Sequence, residues 1–423
     1  MSAALERWLR RLESMQPDRI ELGLERVDEV WRRLRRRRSP PAVITVGGTN
    51  GKGSVVAFLD ALCEADDKRR GAYTSPHLSR FSERIRIDGT PVEDQDLVAA
   101  FEAVESARQA TRLSYFEFTT LAALELFLRA DLDLWLLEVG LGGRLDAVNI
   151  VPAEPVVITN VGLDHQEWLG PDRESIAREK AGILRKNGTL IFGETDLPSS
   201  LAAQADALGV EVRRWQRDFD LVSDPNGGYC YRESGLERRI PVPALGLPGD
   251  HQCANAACAL AAFAASGHGL PATDAAIQSA LAGVGLAGRL QVLPGSPPVW
   301  LDVAHNTAAA AVLRQELQAQ PCAGRTIAVF GALAGKDVAG IAAELAPVID
   351  TWYLVPTPGE RGMSASKLAT TAAVGSQDHA LQSVASGLQL ARSAAGEADR
   401  IVVFGSFRVV AAALAELGKP EHG

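Results

Sequence analysis

The chain has 423 residues, 47% hydrophobic and 22% charged, a globular composition too long for one ordinary core, so two domains are expected. A formal net charge of -9 argues against nucleic acid as the main partner. The cysteines at 63, 230, 253, 258 and 322 form no CxxC pair, which excludes an obvious disulfide framework or zinc site and fits reduced, cytoplasmic thiols.

The N-terminal MSAALERWLRRLE is an amphipathic helix pattern without an apolar signal core. No later run reaches membrane-spanning length, and the Ala-rich stretch 255–265 reads as a core helix. Arg32-Arg33-Leu34-Arg35-Arg36-Arg37-Arg38 ends at Ser39-Pro40-Pro41. Without interleaved aromatic residues, this run reads as a helix C-terminus, where cations complement the dipole and prolines stop the helix, rather than as a nucleic-acid patch.

An α/β rhythm follows. Strands are predicted at Val43–Val46, Leu134–Val139, Val156–Thr159 and Leu190–Gly193, with helices at Gly53–Ala65, Asp94–Gln109 and Thr119–Arg129 between them. The polar, glycine-containing stretch 221–243 suggests hairpins. A Gly/Pro-rich break lies at 285–298, after which strands recur at Val299–Val303, Thr326–Phe330, Thr351–Val355 and Ile401–Phe404. The expected boundaries are therefore 1–287 and 288–423, the latter a smaller doubly wound domain.

Four segments in the first part carry candidate chemistry. GGTNGKGS, 47–54, follows a buried strand and opens a helix. Its backbone N–H groups would cradle phosphate, with Lys52 near the terminal phosphates and the Ser54 hydroxyl facing Mg²⁺. The inserted Gly53 keeps the backbone close to phosphate. Glu138 ends an apolar strand before GLGGRLD, as either a ligand at the strand-end position or half of a salt bridge. His165, beside Asp164 in TNVGLDHQEWLG, is a metal-ligand candidate with Asp164 as its orienting partner, or a structural loop residue. Lys180 of IAREKAGILR has apolar neighbours, and residue physics alone gives it only a snorkelling role. In the second part, GRLQ (288–291) and LDVAHN (301–306) flank the break, directing Asp302, His305 and Asn306 toward a strand-end crevice.

Taken in order, GLERV (23–27), GGTNGKGS, YTSPHL (73–78), YFEF (115–118), EVGLGGRLDAVNI (138–150), LDHQEWLGPDRESIAREKAGI (163–183), NAA (255–257), GRLQ, LDVAHN and VFGSF (403–407) resemble the bacterial folylpolyglutamate synthase and dihydrofolate synthase enzymes, a branch of the Mur-ligase-like amide ligases. The resemblance implies a P-loop-type ATPase domain with a mixed sheet, plus a smaller Rossmann-like C-terminal α/β domain.

It also implies that Asn50, Gly51, Lys52, Gly53 and Ser54 hold ATP, with Asn255, Arg289 and Asp302 as further nucleotide contacts. Ser54, Ser75, Glu138, His165 and Lys180 match ligands of two Mg²⁺ ions, Lys180 as an N6-carboxylysine formed with CO₂. Ser114, Phe116, Leu145, Asp146 and Ala147 resemble the pterin-side pocket; His305 and Ser406 resemble positions near the incoming glutamate. Three places depart from the family pattern: the stretch Ala334-Gly335-Lys336-Asp337 stands for an H-D-K-D-like one, Thr307 for a common Pro, and Arg408 for a common His.

The implied reaction is ADP-forming ligation of L-glutamate to dihydropteroate and to the γ-carboxylate of folate glutamates through an acyl phosphate, with Lys52, His165 and Lys180 as catalytic residues. A monofunctional enzyme of either kind is the alternative, and another Mur-type ligase a further one. The segment before Gly47 is too short for the nucleotide-sugar-binding domain that most peptidoglycan ligases of this type carry there. The expected partners are small molecules alone, without nucleic acid or membrane, and the expected state is a monomer.

Overall fold

In the computed structural model the described residues are 1–15, 23–35, 38–225, 227–236, 238–374 and 381–418. They divide into two compact units. The first comprises Met1–Gly162, Leu169–Gly246 and Gln252–Val284; the second comprises Leu163–Trp168, Leu247–His251 and Gly285–Gly423.

The first unit is built on strands β1 (Ala42–Gly47), β2 (Arg70–Tyr73), β3 (Ile85–Ile87), β4 (Thr90–Pro91), β5 (Leu134–Glu138), β6 (Val156–Ile158), β7 (Thr189–Phe192) and β8 (Glu211–Arg214). They form one sheet in the order β4-β3-β2-β5-β1-β6-β7-β8. β2, β5, β1, β6, β7 and β8 run parallel, whereas β3 and β4 add antiparallel at one edge, so the sheet is mixed. All five residues of β5 are buried, as expected for a strand covered on both faces. Register pairs Val46 with Glu138 and Gly47 with Ile158. The loop after β1, the end of β5 and the start of the segment after β6 thus lie together at the carboxyl end of the parallel strands, where open parallel sheets bind ligands.

The polar stretch after β8 forms an antiparallel three-stranded sheet of β9 (Phe219–Ser223), β10 (Tyr229–Glu233) and β11 (Ile240–Val242), ordered β11-β10-β9. Ser2 caps the first helix, Ala3–Glu13, whose Leu5 and Leu12 are buried and whose Trp8 ring lies 5.8 Å from that of Phe101. The arginine run begins in the helix Glu25–Arg35, where Arg32 pairs with Asp28 and Arg33 with Glu29. Arg33 Nη1 also donates to the carbonyls of Ala107 (3.1 Å) and Arg108 (3.3 Å), and Arg38 Nη1 to that of Leu128 (3.2 Å). These carbonyls end the helices Asp94–Arg108 and Tyr115–Arg129, so the cations complete other helices' C-termini. Arg36 and Arg37 lie outside the described residues.

In the second unit, β12 (Gln291–Leu293), β13 (Val299–Leu301), β14 (Thr326–Phe330), β15 (Thr351–Leu354) and β16 (Arg400–Phe404) follow the order β12-β13-β16-β14-β15, with only β12 antiparallel. Its core includes Phe330 stacked on Phe404 at 4.8 Å and Trp352 edge-on to Phe330 at 5.8 Å. All five cysteines are free, and among the described residues no helix is long and apolar enough to cross a membrane.

Candidate active site

In the first unit, the loop after β1 turns into the helix Lys52–Ala65 through Gly51, which has φ +84°. A β-carbon on Gly51 would stand 2.5 Å from Asn255 Oδ1, so glycine serves both the left-handed backbone and the close approach. No side chain caps this helix start among the described residues, so its first-turn amides are not taken by a cap, the arrangement that suits an anion.

The loop is clamped from the segment after β6. Thr159 Oγ1 donates to the Asn50 carbonyl at 2.6 Å, and Asn160 Nδ2 donates to the same oxygen at 2.9 Å. Asn160 Oδ1 accepts from Asn50 N at 2.9 Å, and Thr49 N donates to the Asn160 carbonyl at 3.1 Å. Thr49 Oγ1 completes the clamp by exchanging hydrogen bonds with Gly162 N and O. Lys52 curls back onto the loop, its Nζ donating to the carbonyls of Gly48 and Thr49, each at 3.1 Å.

Glu138 is 4% exposed at the end of β5, and its Oε2 accepts from the Ser75 backbone N at 2.9 Å. A β-carbon on Gly53 would lie 3.9 Å from both Glu138 carboxylate oxygens, so the inserted glycine leaves open the space between loop and carboxylate. Ser54 is buried in the same helix turn. A serine hydroxyl and a buried carboxylate form a hard-oxygen set of the kind Mg²⁺ prefers. Lys180 is 2% exposed in the helix Arg173–Ala181, whose N-terminus Asp172 caps with Ser175. An ammonium so deeply buried is costly, and carbamylation would replace it with an oxygen donor. Among the described residues there is no cluster of three His, Cys, Asp or Glu side chains fit for a metal.

Phe116 lies in the first turn of the helix Tyr115–Arg129, its ring 6.1 Å from that of Tyr73 and pressed against the backbone of Gly140. The Ser114 hydroxyl caps this helix through Glu117 N, while Glu117 returns a bond to Ser114 N at 2.7 Å and pairs with Arg26 at 3.0 Å. Asp146 follows Leu145 and caps the short turn beginning at Ala147, accepting from Leu141 N at 2.8 Å and Val148 N at 3.0 Å. Burial pushes its carboxyl up to about 6 against the pull of these amides and of Lys52. Asn255 Nδ2 donates to Gln252 Oε1 at 2.9 Å.

The second unit has its own polar centre. Asp164 accepts from Lys336 Nζ at 2.5 Å and Asn306 Nδ2 at 3.1 Å, and its Oδ2 faces His305 Nε2 at 3.5 Å. Burial alone would raise this carboxyl, but the His305 hydrogen bond and the Lys336 cation hold it well below the usual carboxylate range. His165 has φ +52°, and its backbone N donates to Asp164 Oδ1 at 2.8 Å. His165 Nε2 lies 4.0 Å from Asp164 Oδ1, and the same carboxylate engages Lys336 and Asn306.

His305 Nδ1 lies 2.8 Å from the Val303 carbonyl. Asn306 caps the helix Thr307–Ala319, and buried Ser406 caps the helix Phe407–Leu417. Asp302 accepts from Leu290 N at 2.9 Å and Ala304 N at 2.8 Å; burial raises its carboxyl, opposed by those amides and by Arg289. Arg289 stacks over the Phe407 ring at 5.0 Å.

Sequence reasoning missed Thr159 and Asn160, although a Thr-Asn pair just past an apolar strand was their signal. It also saw Lys336 only as part of an altered stretch, since nothing local marks it as the partner of an aspartate far earlier in the chain.

Residues 46–263 match the Mur ligase middle domain and residues 288–407 the Mur ligase glutamate ligase domain. The dihydrofolate synthase/folylpolyglutamate synthase of Escherichia coli K12 is 43% identical over 411 residues, covering 97% of this chain and 94% of its own. The structure of E. coli FolC in complex with DHPP and ADP matches with TM-score 0.91 and 41% identity over 99% of both chains. A bifunctional folylpolyglutamate synthase/dihydrofolate synthase with Mn, AMPPNP and L-glutamate bound matches with TM-score 0.89 and 42% identity over 98% of both. With a helix-opening glycine loop, a buried strand-end glutamate and both Mur-type domains in order, the chain belongs to the bifunctional dihydrofolate synthase/folylpolyglutamate synthase family of Mur-type ligases.

Proposed function

We propose that this chain ligates L-glutamate to dihydropteroate and to the γ-carboxylate of folate glutamates at the expense of ATP, through an acyl phosphate. The observation that carries the reading is the shared carboxyl end of the parallel strands in the first unit. The clamped loop after β1, Glu138 at the end of β5 and Ser75 after β2 meet there.

In this reading Asn50, Gly51, Lys52, Gly53 and Ser54 bind the ATP phosphates, with Lys52 supplying positive charge as the γ-phosphoryl group moves to the acceptor carboxylate. Ser54, Ser75, Glu138, His165 and Lys180 would hold two Mg²⁺ ions, Lys180 as a carbamate. Bound Mg²⁺ supplies further positive charge where three anionic groups must meet. Asn255, Arg289 and Asp302 contact the nucleotide. Ser114, Phe116, Leu145, Asp146 and Ala147 form the pterin-side pocket, in which the Ser114 hydroxyl fixes the helix start that presents Phe116. His305 and Ser406 receive the incoming glutamate, whose amine attacks the acyl phosphate as phosphate leaves.

The functional division we propose is 1–287 for ATP and pterin and 288–423 for glutamate. The protein acts as a cytoplasmic monomer on small molecules, without nucleic acid; the net charge of -9 and the internal use of Arg33 and Arg38 support that last point.

The test is a phosphate-release assay with ATP, Mg²⁺ and L-glutamate, comparing dihydropteroate with tetrahydrofolate. Glutamate-dependent release with both is expected. Release with one alone identifies a monofunctional enzyme, and release with neither, alongside UDP-sugar-dependent ADP formation, would identify another Mur-type ligase.

A further inference from the structure

Arg84 is a buried cation that the chemistry above does not use. It ends the turn Phe81–Arg84 that leads into β3 and is only 8% exposed. Its Nε donates to His77 Nδ1 at 2.8 Å, and its guanidinium carbon lies 5.6 Å from the ring centres of both Phe81 and Tyr115. Other arginines of this unit have acids: Arg70 and Arg86 share Asp60, and Arg26 holds Glu117. Arg84 has none among the described residues, and its two Nη groups have no protein acceptor there.

The adjacent acid cannot serve, because Glu83 is turned onto the backbone N–H groups of Leu78, Ser79 and Arg80. An always-charged group enclosed this far is costly without an anion. Two flanking rings and the His77 bond also fix its plane, leaving the paired donors of its fork pre-oriented.

Its neighbours say which anion. On one side Arg84 is tied to His77, two positions beyond Ser75, whose N–H holds Glu138. On the other side it stacks on Tyr115, next to Phe116 of the pterin-side pocket. The guanidinium therefore belongs to the wall that joins the reacting end to the pterin end. The two acceptor substrates differ in one relevant respect. Dihydropteroate has a single carboxylate, the one that reacts. A folate glutamate presents the reacting γ-carboxylate and, beside it, an α-carboxylate that takes no part in bond formation.

We propose that Arg84 binds the non-reacting α-carboxylate of the folate glutamyl tail and so sets the enzyme's preference between its two acceptors. This rests on the ligase reading above and adds a specificity residue to it.

The test compares wild type with Arg84→Met, which keeps an apolar stem between the rings, and Arg84→Lys, which keeps charge without the fork. Steady-state kinetics are measured with dihydropteroate, tetrahydrofolate and a tetrahydrofolate whose α-carboxylate is a carboxamide. In Arg84→Met, KM for tetrahydrofolate should rise about tenfold or more, with kcat changed much less. The kcat/KM ratio should move by the same factor toward dihydropteroate, and Arg84→Lys should recover part of the loss. Wild type should prefer the free acid to the α-amide, and Arg84→Met should not.

A ratio within about threefold of wild type, or an acid-over-amide preference that survives in Arg84→Met, overturns the assignment. The α-amide comparison holds even if the variants are less stable, because each protein is its own reference. If wild type turns over neither acceptor, the ligase reading fails; if it turns over both and only the discrimination persists, the Arg84 assignment alone falls.

Discussion

Replacing Gly51 by alanine tests the geometry of the phosphate loop with a magnitude that follows from two distances. The residue sits at φ +84°, which costs a side-chain-bearing residue about 1–2 kcal/mol. The new methyl would stand 2.5 Å from Asn255 Oδ1, so the Asn255 amide must move and give up its 2.9 Å bond to Gln252. Asn255 is 6% and Gln252 1% exposed, and losing a hydrogen bond at that depth costs about 1–3 kcal/mol. Gly51→Ala should therefore destabilise the first unit by about 2–5 kcal/mol. Asn255→Ala loses the same bond and should cost about 1–3 kcal/mol.

The double variant breaks that bond once rather than twice and removes the obstacle. It should be more stable than the sum of the single effects by about 1–3 kcal/mol. Urea denaturation of the four proteins without nucleotide measures this coupling, and titration calorimetry with a non-hydrolysable ATP analogue shows whether the double variant still lacks affinity. Additivity within about 0.5 kcal/mol would refute the argued contact, and wild-type stability of Gly51→Ala would refute the loop geometry altogether.

Other perturbations bear on separate parts of the molecule. Glu138→Gln should weaken Mn²⁺ binding, read by electron paramagnetic resonance, and lower glutamate-dependent phosphate release by about 100-fold or more; unchanged metal affinity would remove Glu138 from the ligand set. Lys180→Ala should be inactive and partly restored by acetate or formate, and wild type in ¹³C-bicarbonate should show a carbamate resonance that the variant lacks. Burial and the Arg289 charge depress His251 to about 4. An unfolded imidazole titrates near 6.5, so the neutral residue's contribution is complete above that value and is lost as pH falls toward 4. Stability over that interval should fall less steeply by about 3 kcal/mol in His251→Gln, and parallel pH profiles would count against the burial argument. Arg33→Ala should cost about 1 kcal/mol by releasing the carbonyls of Ala107 and Arg108, without changing KM for any substrate.

The parts of the fold that sequence made legible are those in which one segment carries its own signal. β1, β5, β14 and β16 are continuous apolar runs, and the structure places them within a residue or two of the expected positions. The glycine loop is equally legible because strand, glycines, lysine and helix start are contiguous. β2 and β8 were not seen. Arg70-Gly71-Ala72-Tyr73 is short and buried, with an arginine whose partner is Asp60, while Glu211–Arg214 is a polar edge strand without period-two contrast. Arg33 and Arg38 were legible as helix-terminal cations, but the run alone could not show that the helix ends they complete are those of other segments.

In the site, residues whose role is tertiary escaped. Thr159 and Asn160 act on a loop encoded over a hundred positions earlier, and Asp164 meets Lys336 across |i−j| = 172. Spacing cannot reveal such pairs; only the parallel ordering of β1 and β6, or the inclusion of the short segment Leu163–Trp168 in the second unit, brings them together.

That last arrangement limits how the protein can be taken apart. The second unit includes Leu163–Trp168 and Leu247–His251 as well as its long C-terminal stretch, so no single cleavage of the chain yields it whole. A recombinant fragment starting at Gly285 would contain Lys336, His305 and Asn306 but not the carboxylate that gathers them, leaving three polar groups without their shared partner. Such a fragment should be unstable or insoluble for a local electrostatic reason, even though the family-model match to the C-terminal domain, 288–407, would suggest a self-sufficient module. Domain-exchange chimaeras built from this chain would accordingly need to carry the six-residue Asp164 segment with its C-terminal partner.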